Sequence, residues 1–259
     1  MVTVVQEKDK RKAFTEAVAD LYIEKGSTVA IKPNLGIQKE EACTDFQFMT
    51  WLVDYIAEFS PGKIMIVESD TDMRRIWDTY DAFGYHSLDV ELINTSETHC
   101  TTIYPENTTF FKSFAYPDIL KESVLISFAK LKTHVLTVYT GAVKNQYGLI
   151  PFPDKRIFHK FLDRIIVDAN SIFPCHYYLL DGFYAMEGQG PLEGNMVELD
   201  LVLAGKDPVA VDSCACRAVG IDPETISHLV LAEKKGIGTS ACEVEGEIPA
   251  SRQLRLPEQ

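Results

Sequence analysis

Short apolar, β-branched runs alternate along this chain with longer segments whose apolar residues recur at helical spacing. Thr28–Asn34, Lys63–Ser69, Val90–Asn94 and Val124–Lys132 read as buried strands, and Phe46–Phe59 and Met73–Tyr85 read as helices between them. Strands separated by helices of this length pair in parallel and need cover on both faces of the sheet. Downstream, Val138–Gly148 reads as a helix or helical turn followed by a loop. Arg156–Asn170 is an amphipathic helix, and His176–Asp181 and Glu198–Ala204 are further strands. Asp207-Pro208 opens a helix, with the carboxylate as cap and the proline at the first helical position. Asp222-Pro223-Glu224 opens another that runs to about Lys235. The fold class expected is α/β: a largely parallel or mixed sheet with helices on both faces. A single domain over residues 1–259 is expected. The Thr-, Phe- and Tyr-rich stretch His99–Pro117 would form short strands or a hairpin, within an insertion at 95–120 that could make a small subdomain. The tail Val244–Gln259 is polar and reads as peripheral.

Charge narrows the function classes. The formal net charge is −13, which disfavours nucleic-acid binding and electrostatic docking to anionic membranes. No apolar run approaches the ~20 residues of a membrane span, and the segment MVTVVQEKDKRK lacks the apolar core and cleavage site of a signal peptide. A cytoplasmic location is expected. Of the six cysteines (Cys43, Cys100, Cys175, Cys214, Cys216, Cys242), no two form a C-x-x-C pair. Cys214 and Cys216, two apart on a helical pattern, would point about 200° apart and cannot chelate one metal. They read as reduced, mostly buried thiols, and no run of iron–sulfur ligands is present.

Open α/β sheets bind ligands beyond the carboxyl ends of their strands. Those ends deliver Lys32 and Asn34; Glu68, Ser69 and Asp70; Lys130, Lys132 and His134; Asp181 with the glycine-rich loop Ala185–Pro191, which contains Glu187; and Asp207, with Asp212 one turn into the next helix. The densest stretch is Ala129–Asn145. Lys130, Lys132 and His134 alternate onto one face of a continuing strand, Gly141 permits close backbone approach, and Lys144-Asn145 adds a charge and an amide. Cations so close repel unless an anion or carboxylate sits among them. Asp212, surrounded by apolar residues, needs a partner, and a lysine is expected. His159 would join the site if its helix lay over His134. Each residue alone has an ordinary structural reading, as strand-end charge, core histidine or helix cap; the convergence of several points to a site. There is no G-x-x-x-x-G-K-[ST] loop, no G-x-G-x-x-G after the first strand, no G-x-S-x-G and no H-E-x-x-H.

Five motifs in order carry a family resemblance: Ile31-Lys32-Pro33-Asn34-Leu35; Lys130-Leu131-Lys132-Thr133-His134; Thr140-Gly141-Ala142-Val143-Lys144-Asn145 with Gly148; Asp181-Gly182 through Met186-Glu187-Gly188-Gln189-Gly190-Pro191; and Asp207-Pro208-Val209-Ala210-Val211-Asp212. With them the chain resembles the domain-of-unknown-function 362 family over nearly its whole length. Many members carry a ferredoxin-like segment for iron–sulfur clusters, so the resemblance implies intracellular redox chemistry. This chain departs by having no such segment. The mix of basic strand ends, histidine and glycine loops is also similar in architecture to nickel-pincer lactate racemases.

The leading expectation is a cofactor-dependent, redox-linked enzyme, its cofactor not specified by any motif. Lys32, Asn34, Lys130, Lys144 and Asn145 would hold a small anionic substrate or cofactor. His134, His159 and Lys132 would be catalytic, and Glu68, Asp181, Glu187 and Asp212 would orient the lysines or bind a cation. A non-catalytic anion- or cofactor-binding module that docks to a ferredoxin-like partner is the second expectation. A metal-dependent hydrolase using Glu68, Asp181 and His134 is the third.

Overall fold

A computed structural model describes every residue except 242, 250, 251 and 259; Cys242 therefore lies outside the described residues. The elements in chain order are β1 (Val2–Gln6), α1 (Lys10–Ala17), β2 (Thr28–Pro33), α2 (Phe46–Ala57), β3 (Lys63–Glu68), α3 (Ile76–Ala82), β4 (Glu91–Asn94), β5 (Cys100–Ile103), β6 (Phe114–Pro117), β7 (Val124–His134) and β8 (Val138–Thr140), then α4 (Ala142–Asn145), α5 (Leu162–Ile172), β9 (Tyr177–Gln189), β10 (Glu193–Gly205), α6 (Pro208–Ala218), α7 (Ser227–Lys234) and β11 (Val244–Gly246).

One sheet carries the order β11-β1-β10-β9-β7-β2-β3-β4, with β8 folded back on β7. From β9 to β4 every neighbouring pair is parallel, whereas β1–β10 and β10–β9 are antiparallel. The sheet is therefore mixed and mostly parallel, in an α/β fold. Alternation along β2 shows how both faces are covered. Val29 and Ile31 join a core with Phe14 of α1, Phe48 of α2 and Tyr80 of α3. Ala30 faces the other way, into a core with Ile165 and Phe173 on the α5 side. Both faces of this half being buried, its strands read as unbroken apolar runs.

Several expectations change in detail. β1 lies inside the sheet between β10 and β11, although its five residues end in charged sequence that carries no strand signal. The tail is not wholly peripheral: Val244 pairs with Val2, and Leu254, only 2% exposed, donates its N–H to the Val219 carbonyl. The stretch Ala185–Gln189 is not a loop but the far arm of β9, hairpinned to β10. The amphipathic helix begins at Leu162, preceded by 3-10 turns over Lys155–Phe161. The stretch Cys100–Pro117 forms the expected hairpin, β5–β6, and Phe111 and Phe114 pack it into the core beside Phe173.

Candidate functional site

β2 ends at a Pro-Asn stop, and the chain leaves the sheet there. Lys32, on the α5-side face, is 1% exposed and donates to Glu68 Oε1 at the end of β3, 2.6 Å away, and to the Pro33 carbonyl. Lys132 extends from β7, whose Ile126 and Phe128 share its parity and pack on the opposite face. Two amides join the faces around the end of β2. Lys132 Nζ donates to Asn34 Oδ1 at 2.8 Å, Asn34 Nδ2 donates to Asn145 Oδ1 at 3.1 Å, and Asn145 Nδ2 donates to the Lys32 carbonyl at 3.1 Å. Gly148 lies over this junction; a Cβ there would come within 2.7 Å of Lys32 Nζ, so a larger residue would displace the ammonium from its place beside Glu68.

These residues line one cavity of about 370 Å³. Of the twelve residues proposed from sequence, Lys32, Asn34, Glu68, Lys132, His134, Lys144, Asn145 and His159 line it. Lys130, Asp181, Glu187 and Asp212 do not. Lys130 and Lys132 do share a face, but the segment between β2 and α2 crosses between them. Lys132 reaches Asn34 and the Ala42 carbonyl, while Lys130 is bound to Asp181 at 2.7 Å and borders a separate cavity with Lys10, Cys43 and Asp45. Asp181 also accepts the Asp45 N–H, so it closes a buried ion pair away from the main cavity. Glu187 accepts the Arg255 N–H.

Asp212 has no lysine partner, contrary to expectation. Its carboxylate accepts the N–H groups of Ala142 and Val143, at 2.7 and 2.9 Å, and the Tyr139 hydroxyl at 3.0 Å. Backbone donors at the start of α4 supply what a cation would have. Burial nonetheless raises its carboxyl to about 7. A Cβ at Gly141 would lie 2.1 Å from this carboxylate, so glycine is required for the contact. The effect on the cavity is indirect: Asp212 fixes the turn from which Lys144 and Asn145 project.

Three basic groups on the cavity wall, Arg74, Lys155 and Arg156, are not among those twelve residues. Arg74 donates to the Leu35 and Ser69 carbonyls at 2.6 and 2.7 Å and lies 3.4 Å from Glu68. Lys155, 4% exposed, donates to Ser69 Oγ at 2.5 Å. Arg74 falls inside the stretch Met73–Tyr85 that reads as a helix, but α3 starts only at Ile76, and Lys155 and Arg156 lie on the 3-10 turns ahead of α5; in sequence each reads as ordinary surface charge.

The cavity wall therefore carries Lys32, Arg74, Lys132, Lys144, Lys155 and Arg156 against two carboxylates, Glu68 and Asp72, in a chain of net charge −13. The Lys144 ammonium has no hydrogen bond or ion pair among the described residues. The Thr140 hydroxyl, buried on the wall, also has no hydrogen-bond partner among the described residues. Burial first, then the neighbouring lysines, lowers Lys144 from the usual 10.5 to about 7. Burial likewise lowers Lys155 to about 7 and Lys132 to about 8. Glu68 stays low because Lys32, Arg74 and Lys155 outweigh its desolvation.

His134 ends β7, and its Nδ1 accepts the Leu136 N–H at 3.1 Å. The ring proton is thereby placed on Nε2. Burial, Lys144 and Lys132 push its pKa down, so the ring is neutral at physiological pH. The turn that follows holds Val138 at φ 63°, a conformation a β-branched residue adopts only at a cost. Strain is thus placed beside the histidine.

These shifts have a sign. A lysine whose folded pKa lies below its unfolded value binds fewer protons in the folded state across the interval between the two. Stability must then rise with pH. For Lys132, Lys144 and Lys155 the interval opens near 7 to 8 and closes at 10.5. Without an added anion, the melting temperature of the parent protein should rise from pH 7 to pH 9, and less so in a variant with all three as methionine. Scanning fluorimetry across that range in a non-binding buffer checks it; equal slopes would show that these lysines are not held at low pKa.

The described cysteines do not gather. Cys43 is buried beside the Ile37 carbonyl, and Cys214 and Cys216 are buried on α6. Among the described residues no three His, Cys, Asp or Glu side chains are placed to hold a metal ion, and none of the helices is long and apolar enough to cross a membrane. Glu68, Asp181 and His134, the trio a metal-dependent hydrolase would need, do not meet at one point, because Asp181 is taken up by Lys130.

Comparison with known proteins finds similarity to the thylakoid-associated protein sll1697 of Synechocystis sp., at 25% identity over 92% of this chain and 78% of that protein. The Domain of unknown function (DUF362) family matches residues 29–217. That span runs from β2 through α6 and holds every residue named above on the lysine-walled cavity: the chain belongs to the DUF362 family.

Proposed function

We propose that this protein is an enzyme that binds a small anion, or the anionic part of a cofactor, in the lysine-walled cavity and moves a proton there with His134. The observation that carries the reading is the excess of buried cations over carboxylates around one concave space at the carboxyl ends of parallel strands. Such a concentration is costly when empty and favourable only with a compensating charge. Lysines poised near neutrality can take up a proton as the anion arrives and stabilise charge that develops on it. Neutral His134 can hydrogen-bond to the bound group through Nε2–H, and with the anion's charge beside it the ring can take up a second proton as imidazolium and hand that proton on, returning to the neutral form.

The redox-linked form of this reading requires a cofactor. An absorption spectrum and a metal assay on protein purified without air test for it: flavin, nickel or iron in stoichiometric amount supports it. A colourless, metal-free protein that co-purifies with a ferredoxin instead favours a non-catalytic docking module. A cytoplasmic location is part of the proposal. The name of the Synechocystis relative raises peripheral contact with a membrane, which co-sedimentation with vesicles tests.

The proton-transfer role is read by nuclear magnetic resonance of the six histidine rings, with His134→Gln to assign the signal. His134 should stay neutral with Nε2 protonated down to pH 5 in the free protein and titrate at higher pH once phosphate is bound. A ring that titrates near 6.5 in the free protein contradicts the assignment. Any turnover found for the chain should fall by about 10²–10⁴ in His134→Ala, with the melting temperature little changed.

A further inference from the structure

Four residues lining the cavity are apolar and open to solvent: Met73 is 60% exposed, Val135 51%, Leu136 55% and Leu192 53%. The cations Lys32, Lys132 and Lys155 on the same cavity are 1%, 3% and 4% exposed. These three cations therefore lie deep and the apolar surface lies outside them, where Arg156, its side chain 64% exposed, is the one outer cation and is paired with Asp72 and Asp154. Exposed apolar residues scattered singly need no explanation, but several gathered on one concavity mark a binding surface. These come from three places: the segment before α3, the turn between β7 and β8, and the turn between β9 and β10. The two turns are tied together, because the Val135 N–H donates to the Gly190 carbonyl at 3.0 Å.

A bare inorganic anion would gain nothing from such a collar; hydrogen-bond donors would serve it better. We propose that the cavity takes an amphiphilic anion, with its phosphate or carboxylate head on the lysine wall and its apolar tail against Val135, Leu136, Leu192 and Met73. This rests on the anion-binding reading above and names the ligand class. The tail excludes water at the mouth, and the charge pairs beneath it strengthen as the local dielectric falls. A cavity of about 370 Å³ is at the small end of ligand sites. It suits a head group with a short chain or a single ring.

The test compares inorganic phosphate with octyl phosphate, and acetate with octanoate, by calorimetry at pH 7 on the parent protein and on the double variant Leu136→Ser, Leu192→Ser. Each methylene buried against the collar multiplies affinity by about fourfold, so the octyl ligands should bind at least tenfold tighter than their short counterparts. In the double variant that ratio should fall towards one. Octanol and octyltrimethylammonium, which carry the tail without the negative charge, should not bind. Vesicles of phosphatidylcholine with phosphatidic acid separate the sources: co-sedimentation assigns the head to a lipid, whereas binding of octyl phosphate without co-sedimentation assigns it to a free amphiphile. If phosphate or acetate binds and the tail adds nothing, the amphiphile is excluded and the anion site stands; if the ratio survives in the double variant, the tail does not lie on Leu136 and Leu192 and the proposed collar is overturned. If none of the four anions binds, the anion site itself is wrong.

Discussion

Lys144→Met should weaken phosphate binding by about 10- to 100-fold, the worth of one charged hydrogen bond, and should melt higher than the parent protein at pH 7. The two effects share one cause. The Lys144 ammonium has no partner among the described residues, and its burial, then the lysines around it, hold its pKa at about 7. Without a ligand it is therefore a burden on the fold; with one it is a contact. Most substitutions of a packed side chain destabilise, so loss of binding with a gain in stability separates a binding lysine from a structural one. Titration calorimetry and scanning fluorimetry on the same pair of proteins read both quantities. A variant that binds as before, or that binds less and also melts lower, would place Lys144 in the framework instead.

Glu68→Gln should have the opposite signature. Glu68 is 2% exposed and is the buried carboxylate on the cavity wall, bound to Lys32 at 2.6 Å and close to Arg74 at 3.4 Å. Removing one partner of a buried ion pair leaves the other uncompensated and costs about 3–5 kcal/mol. In a chain of this size that is a fall in melting temperature of about 10 °C. Added phosphate should restore part of the loss, because a ligand that binds only the folded state stabilises it by mass action. A Glu68→Gln protein as stable as the parent would mean that the carboxylate does not hold the cations together.

Much of the cavity was legible as sequence because strand ends announce themselves. Lys32 and Asn34 flank the proline that ends β2, and Glu68 closes an apolar run. His134 falls on the alternation that continues β7 past Lys132. What alternation could not convey was the path of the chain between β2 and α2, which separates Lys130 from Lys132 and leaves Asp181 in a structural pair. Nor could it reveal Arg74 and Lys155, whose burial comes from contacts with distant strand ends: Arg74 sits in a turn ahead of α3 although the stretch Met73–Tyr85 reads as one helix, and Lys155 sits on a 3-10 turn. Asp212 shows a third limit. A carboxylate among apolar residues was correctly read as needing partners, but those partners are backbone N–H groups at the start of α4, which depend on geometry and not on residue type. β1 is not legible because its five residues run directly into the charged stretch Glu7–Lys12 and carry too little pattern to compete with a loop.

The central claim is that the lysine-walled cavity binds an anion. Titration of the parent protein with inorganic phosphate at pH 7.5, repeated in two buffers of different ionisation enthalpy, tests it most directly. Binding should be accompanied by net proton uptake, as Lys144 and Lys155, both near 7 in the free protein, become fully charged against the anion, and the uptake should disappear in the variant with Lys132, Lys144 and Lys155 as methionine. No binding, or binding with the same heats in both buffers and in the variant, would contradict the account.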